Sequence, residues 1–317
     1  MDGLLEHYKI VAKILRDGRP IVPFLGAGVN LCDRDKKDSW NPHSNFLPDG
    51  NELAAHLAAD STYPCTKPKE LLRVSQFIAA KEGTASINDR LRPLFSGKPP
   101  TRAHTFVASL PSFLRGYGLE QSLVILTTNY DDLLEQAFQL VDEPYDLLTY
   151  ISTDPQKDNK APDDSGLFRH YCYPPAPGDW PKVIRKPNRC TGISPNVRTV
   201  ILKIHGHVEP SDHKKDSFVI TEDDYIEYLS RPELEKAVPV RVLEKILDCH
   251  FLFLGYGLQD WNLRAMLYRV ARGRLRRTSW AIQREPDELD SLFWGLRGVQ
   301  ILNVPLSDYI AGLKSCL

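Results

Sequence analysis

The 317-residue chain balances 40 basic against 41 acidic side chains, and its hydrophobic (42%) and charged (26%) fractions are those of an ordinary globular protein. Near-neutrality leaves no net field to draw nucleic acid or an anionic membrane. No apolar run approaches the roughly 18 residues of a membrane span, and the N-terminus shows no signal-peptide core, so a cytoplasmic location is expected.

In chain order, Leu4–Leu15 places Leu4, Leu5, Tyr8, Ile10, Val11 and Ile14 at helical spacing, and Gly18 and Pro20 end that helix. Ile21–Leu25 then reads as a buried strand. Asp33–Asn45 is polar and charged, a mobile loop over the end of that strand. Helical patterns follow at Leu53–Ala59, Pro68–Ala80, Ser86–Leu94 and Ala103–Leu110. They are too many for a simple crossover and form a helical insert of about residues 46–115. Leu123–Leu126 is a second strand and Asp131–Leu140 the helix after it. From about 153 to 196 prolines crowd the sequence, which predicts a long irregular excursion. Val200–Ile204 resumes the sheet, followed by helices at Asp223–Leu229 and Pro232–Leu247, a strand at Phe251–Leu254 and a helix at Leu263–Val270. Trp280–Gln283 and Val299–Leu302 read as closing strands, with helices near Pro286–Phe293 and Leu306–Leu313. The alternation predicts an α/β fold, a doubly wound, Rossmann-like parallel sheet carried by one domain over 1–317.

Four of these strands run into a short polar motif. They are Gly26-Ala27-Gly28-Val29-Asn30, Thr127-Thr128-Asn129-Tyr130-Asp131, Lys203-Ile204-His205-Gly206 and Gly255-Tyr256-Gly257-Leu258-Gln259-Asp260. Ligands of open α/β sheets bind outside the carboxyl ends of the strands, so the four ends predict one composite site. Gly26-Ala27-Gly28 is half of a dinucleotide fingerprint, without its third glycine and acidic ribose partner; glycines there let backbone N–H groups approach a pyrophosphate. Of Asn129 and Asp131, one can cap the following helix, which leaves the other for a ligand. His205 is the general-base candidate, because imidazole titrates near neutrality. Asp260 and Asn262 can cap the next helix or hold a ribose or adenine. The run Arg269, Arg272, Arg274, Arg276 and Arg277 reads either as a partner surface or as the solvated end of a helix. The six cysteines include no C-x-x-C pair, so reduced thiols and no metal site are expected. Cys172 and Cys190 could pair in a loop.

Taken together, the Gly-Ala-Gly turn, the Thr-Asn-x-Asp strand end and the Lys-x-His-Gly strand resemble the sirtuin superfamily, in the family's order from Pro23 to Asn262. Gly255-Tyr256-Gly257-Leu258 with Asp260 and Asn262, and Ser217–Tyr225 after the histidine, resemble its bacterial sirtuin-like branch. The four-cysteine zinc module of the protein deacylases has no counterpart, and neither does their Pro-Asp-Phe-Arg arginine; Asn30 stands where they usually have serine. The resemblance implies NAD as a substrate, with no metal. In that branch the usual activity is NAD hydrolysis at the nicotinamide–ribose bond, depleting NAD during phage infection. It implies Asn129, His205 and Asp131 as catalytic residues. Gly26, Ala27, Gly28, Asn30, Thr128, Gly255, Tyr256, Gly257, Asp260 and Asn262 would hold the dinucleotide. A homo-oligomer is expected, with an accessory subunit such as a HerA-type ATPase or an Argonaute-like protein. Two other readings stand beside this one: an NAD-dependent protein deacylase or ADP-ribosyltransferase, and a non-catalytic subunit that senses NAD or an NAD metabolite.

Overall fold

A computed structural model describes residues 2–35, 37–119, 122–152, 163–175, 181–231, 237–257, 275 and 277–317. Helix α1 (Asp2–Arg16) leads into β1 (Ile21–Leu25), which ends in a 3-10 turn, Ala27–Leu31. Four helices follow: α2 (Gly50–Ala59), α3 (Leu71–Glu82), α4 (Thr84–Phe95) and α5 (Arg102–Gly116). Then come β2 (Val124–Thr127), α6 (Leu133–Leu140), β3 (Tyr145–Tyr150), β4 (Phe168–Tyr173), β5 (Lys182–Val183) and β6 (Thr199–Lys203). A small hairpin, β7 (Gly206–His207) with β8 (Ser217–Phe218), precedes α7 (Glu222–Ser230), α8 (Val240–Leu247) and β9 (His250–Leu254). The chain closes with β10 (Ser279–Gln283), α9 (Glu288–Gly295), β11 (Val299–Asn303) and α10 (Leu306–Cys316).

Among the described residues the main sheet has nine strands in the order β11-β10-β9-β1-β2-β6-β3-β4-β5. The seven from β11 to β3 are mutually parallel, and β4 and β5 add an antiparallel edge. β1 lies inside the sheet, with β2 on one side and β9 on the other. The chain winds outward in one direction from β1 to β2 and later in the other from β9 to β10 and β11. That reversal is the topological switch point at which an open α/β sheet leaves a crevice.

The period-two alternation of each strand divides the core into two layers. Val22, Phe24, Val124, Leu126, Val200, Leu202, Phe251 and Phe253 face one layer, covered by α7, α8 and α9. Ile21, Leu25, Ile125, Ile201, Leu252 and Leu254 face the other, covered by α1, α5, α6 and α10. The doubly wound architecture expected from the alternation of elements is therefore the one observed. A third cluster, separate from the sheet, joins α2–α4 (Leu53, Leu57, Val74, Ile78, Leu91, Phe95) to Leu133 and to Val208, Phe218 and Ile220 around the β7–β8 hairpin. The helices inserted between β1 and β2 thus pack on the segment that follows His205.

The structure departs from the sequence reading in several places. Tyr145–Tyr150 is a buried strand that composition did not single out, and the excursion expected to be irregular over about 153–196 contains β4 and β5. Prolines mark that region because they are tolerated beside edge strands, where a missing N–H breaks few ladder bonds; Pro174 and Pro181 flank β4 and β5. The helix expected from Asp131 begins at Leu133; of the one expected over Pro232–Leu247, residues 232–236 lie outside the described residues and Val240–Leu247 is helical. The predicted helix Leu263–Val270 lies outside the described residues.

Candidate functional site

The turn after β1 is locked to the turn after β9 through their backbones. Gly26 N–H donates to the Leu254 carbonyl (2.9 Å) and Gly28 N–H to the Gly255 carbonyl (2.8 Å). A Cβ on Gly28 would lie 2.7 Å from the Gly255 oxygen, and one on Gly26 would lie 2.9 Å from the Tyr256 ring. Gly255 adopts φ +70°, and a Cβ there would meet Val29 N at 2.3 Å. Glycine is required here because two main chains touch. The amides of Gly26 and Gly28 are committed to the carbonyls of Leu254 and Gly255, and among the described residues nothing lies within 4 Å of a Cβ built on Gly257.

The end of β2 is stitched to the same turn. Thr127 Oγ1 donates to the Leu25 carbonyl (2.9 Å) and accepts from Asn129 N–H (3.0 Å). Asn129 Nδ2 donates to the Gly26 carbonyl (3.2 Å), which fixes the amide while leaving its oxygen and second hydrogen for other partners. Thr128 Oγ1 and the Tyr256 hydroxyl are 2.6 Å apart, so the tyrosine bridges from the β9 turn to the β2 turn. Asp131 precedes Asp132, the N-cap residue of α6, and its Oδ1 accepts from Leu133 N–H (3.2 Å) at the start of the helix. Its Oδ2 accepts from Asn30 Nδ2 (2.9 Å), which ties the 3-10 turn to α6. Asn129 is thereby released from capping.

His205 follows β6 and is 5% exposed. Its ring meets Tyr225 and Tyr228 edge-on, with centroids 5.4 and 5.3 Å away, and the Tyr225 hydroxyl lies 3.4 Å from Nδ1. Gly206 turns the chain at φ +98° into the hairpin, where a Cβ would fall 2.0 Å from the Ser217 oxygen. α7 presents Tyr225 from a rigid mount. Thr221 and Asp224 form a reciprocal capping box, and Gln76 on α3 exchanges two hydrogen bonds with Asp223.

These ends enclose a cavity of about 180 Å³ lined by Asn30, Thr128, Asn129, Asp131, His205 and Tyr225. Asp49 and Tyr256 border it and also border a second, more open hollow of about 900 Å³ outside β9–β11, walled by Gly255, Gly257, Gln283, Arg284 and Asp308. Arg34 forms an ion pair with Glu52 (Nη1–Oε2 2.7 Å), and Glu52 also accepts from the N–H groups of Asp49 and Trp40. The Arg34 bond, above all, holds the Glu52 carboxyl down at about 2.

Behind the cavity lies a buried polar cluster. Lys203 Nζ is 2.6 Å from Glu135 Oε1 and 3.1 Å from His207 Nδ1, and it donates to the Asp131 carbonyl. Burial raises the Glu135 carboxyl to about 7 against the pull of Lys203. Burial and then Lys203 hold His207 well below its usual value, as a neutral ring.

Asn129, His205, Asp131, Asn30, Thr128, Ala27 and Tyr256, proposed from sequence, line one cavity; Gly28, Gly255 and Gly257 face the adjoining hollow, and Gly26 is packed against the turn after β9. Asp260 and Asn262 lie outside the described residues, as do Arg269, Arg272, Arg274 and Arg276. Arg277 pairs with Asp248 (2.8 Å). No disulfide joins Cys172 to Cys190, and among the described residues no group of three or more His, Cys, Asp or Glu could hold a metal ion. Sequence reading missed Tyr228 and Glu135. Glu135 lies in the first turn of α6, four residues after Asp131, a spacing that could have pointed to it.

A family model described as a SIR2-like domain matches residues 123–302. The match takes in the Asn129, His205 and Gly255 strand ends and stops short of β1. No curated protein matches the chain.

Proposed function

The chain belongs to the SIR2-like domain family, and on that premise we propose that it is an NAD glycohydrolase, cleaving the nicotinamide–ribose bond to give nicotinamide and ADP-ribose. The observation that carries this reading is the convergence of Asn129, Asp131 and His205 on one small cavity that adjoins a larger hollow. A dinucleotide has two unequal needs, a closed place for the reacting ribose and room for the rest, and the two hollows offer that division.

In the reaction the C1′–N1 bond breaks and its electron pair leaves with nicotinamide. Water adds to the oxocarbenium-like C1′ and loses a proton, so NAD⁺ and water give nicotinamide, ADP-ribose and H⁺. The site must therefore hold water and ribose in line and favour positive charge at C1′. Asn129, its amide fixed by the Gly26 carbonyl, has an oxygen and a hydrogen for the water and the ribose hydroxyls. His205 takes the proton from a ribose hydroxyl or from water. The Asp131 carboxylate, anchored by Asn30, orients the ribose beside the developing charge. Tyr225 and Tyr256 line the same cavity and narrow the room left for bulk water. We extend the proposal to the role of NAD-depleting effector against phage, its output in the cell tuned by an accessory subunit or by self-assembly.

Purified protein incubated with NAD should release nicotinamide and ADP-ribose, read by chromatography. Asn129→Ala and His205→Ala, folded by circular dichroism, should each lose at least about 100-fold, as expected for loss of a positioning or proton-transfer group. Release that survives both substitutions would overturn the reading. NAD that binds without turnover would favour the sensing-subunit alternative.

A further inference from the structure

The reacting groups sit on separate pieces of chain: Asn129 and Asp131 on the turn between β2 and α6, and His205 beyond β6. One buried side chain joins them. Lys203 closes β6 two residues before His205 and is 1% exposed. Strand alternation sends Leu202 and Ile204 into one core layer and Ile201 into the other. Lys203 shares the Ile201 side, beneath α6.

Its ammonium has three hydrogens. It donates to the Asp131 carbonyl, lies 2.6 Å from Glu135 Oε1 and lies 3.1 Å from His207 Nδ1. These acceptors come from the β2–α6 turn, from the body of α6 and from β7 respectively. Hydrogen bonds to the Asp131 carbonyl and to His207 Nδ1, with the ion pair to Glu135, therefore tie three elements to the strand that leads to His205. The His207 nitrogen can accept only in the neutral ring, with its proton on Nε2. Tyr171 packs edge-on against that ring at 6.3 Å, and the Asp132 and His104 side chains feel the same charge. A lysine–glutamate pair at such depth is a poor source of stability, because removing both charges from water costs about what their attraction returns. An apolar pair of similar volume would fill the space as well.

We propose that Lys203 is a positioning residue: its ammonium sets the Asn129–Asp131 turn at a fixed distance from His205, and catalysis depends on that registry. The proposal rests on the glycohydrolase reading. It also accounts for the coincidence that the bond to the Asp131 main chain comes from the strand bearing the histidine.

The test separates registry from stability. Lys203→Met alone leaves Glu135 buried without its ion pair and should unfold or melt early. Lys203→Met combined with Glu135→Leu removes both charges and should melt close to wild type. Its kcat should nevertheless fall about 100-fold, with KM for NAD changed less than about threefold, because a displacement near 1 Å at the reacting groups has that effect. Lys203→Arg, made in parallel in case the double variant does not fold, keeps the charge but cannot aim a planar fork at three divergent acceptors; the same kcat loss at constant KM is expected. Wild-type kcat in either folded variant, beside an active wild type, would overturn the inference alone. A wild type that releases no nicotinamide would overturn the glycohydrolase reading, and this inference with it.

Discussion

Replacing Gly255 by alanine tests whether the β1 and β9 turns touch as tightly as described. The new Cβ would lie 2.3 Å from Val29 N and 2.6 Å from the Gly28 carbonyl carbon, both main-chain atoms that cannot rotate aside. Overpacking of this kind costs about 1–3 kcal/mol. The left-handed conformation, φ +70°, adds about 1–2 kcal/mol for a residue with a Cβ. The sum, about 2–5 kcal/mol, should lower the melting temperature by about 3–8 °C at ~2.1 cal/mol/K of unfolding entropy per residue. Differential scanning calorimetry reads it directly. Gly257, two residues on in the same motif, has nothing among the described residues within 4 Å of its would-be Cβ and no positive φ. Gly257→Ala should therefore melt with the wild type. Equal melting temperatures for the two alanine variants, within about 1 °C, would refute the claim that Gly255 is glycine because two main chains meet there.

His104 is buried neutral, its pKa lowered to about 4 by burial, and Thr101 N–H donates to its Nδ1. Its stability contribution is complete above the unfolded value near 6.5 and is lost as pH falls towards 4, on the order of 3 kcal/mol. Glu135, raised to about 7 by burial, works the other way: its contribution grows as pH falls from 7 to its unfolded value. The clean readout is thus the difference between wild type and His104→Gln, which keeps a capping-box residue at that position. Urea titrations from pH 7 to 4 should show a flatter slope in the variant, and parallel slopes would refute the assignment. Glu52→Ala removes the partner of Arg34 and the acceptor for Asp49 and Trp40 N–H, so limited proteolysis should cut the 37–49 segment several-fold faster, with about 1–2 kcal/mol lost at the α2 cap. An unchanged cleavage rate would show that other contacts hold that segment.

The parallel strands were legible because each is buried on both faces and so reads as an unbroken apolar run, as in Ile21–Leu25 and Phe251–Leu254. Tyr145–Tyr150 escaped notice because aspartate and threonine interrupt it. Both are buried inside the sheet, and Asp146 is satisfied by His170 across the β3–β4 ladder at 2.9 Å. A polar residue whose partner lies 24 positions away gives no local signal. The same limit applies at the site. Asn129, Asp131 and His205 announce themselves as polar groups at the ends of apolar runs. Lys203 and Glu135 sit inside elements and meet only when β6 lies beside β2. The sequence offered Asn129 and Asp131 as cap candidates for α6; the N-cap position falls instead to Asp132, whose side chain makes no cap bond, and Asp131 reaches Leu133 N–H from one residue before it.

The position of β1 bears on how this protein can be divided. The family match begins at residue 123, yet β2 and β9, which fall within it, are hydrogen-bonded to β1 and not to each other. A fragment cut to 123–302 would be two ribbons, β11-β10-β9 and β2-β6-β3-β4-β5, each with a bare apolar margin where the central strand had been. Such margins recruit other chains. The recognisable stretch and the foldable one differ here, and a soluble recombinant piece has to begin upstream of Ile21.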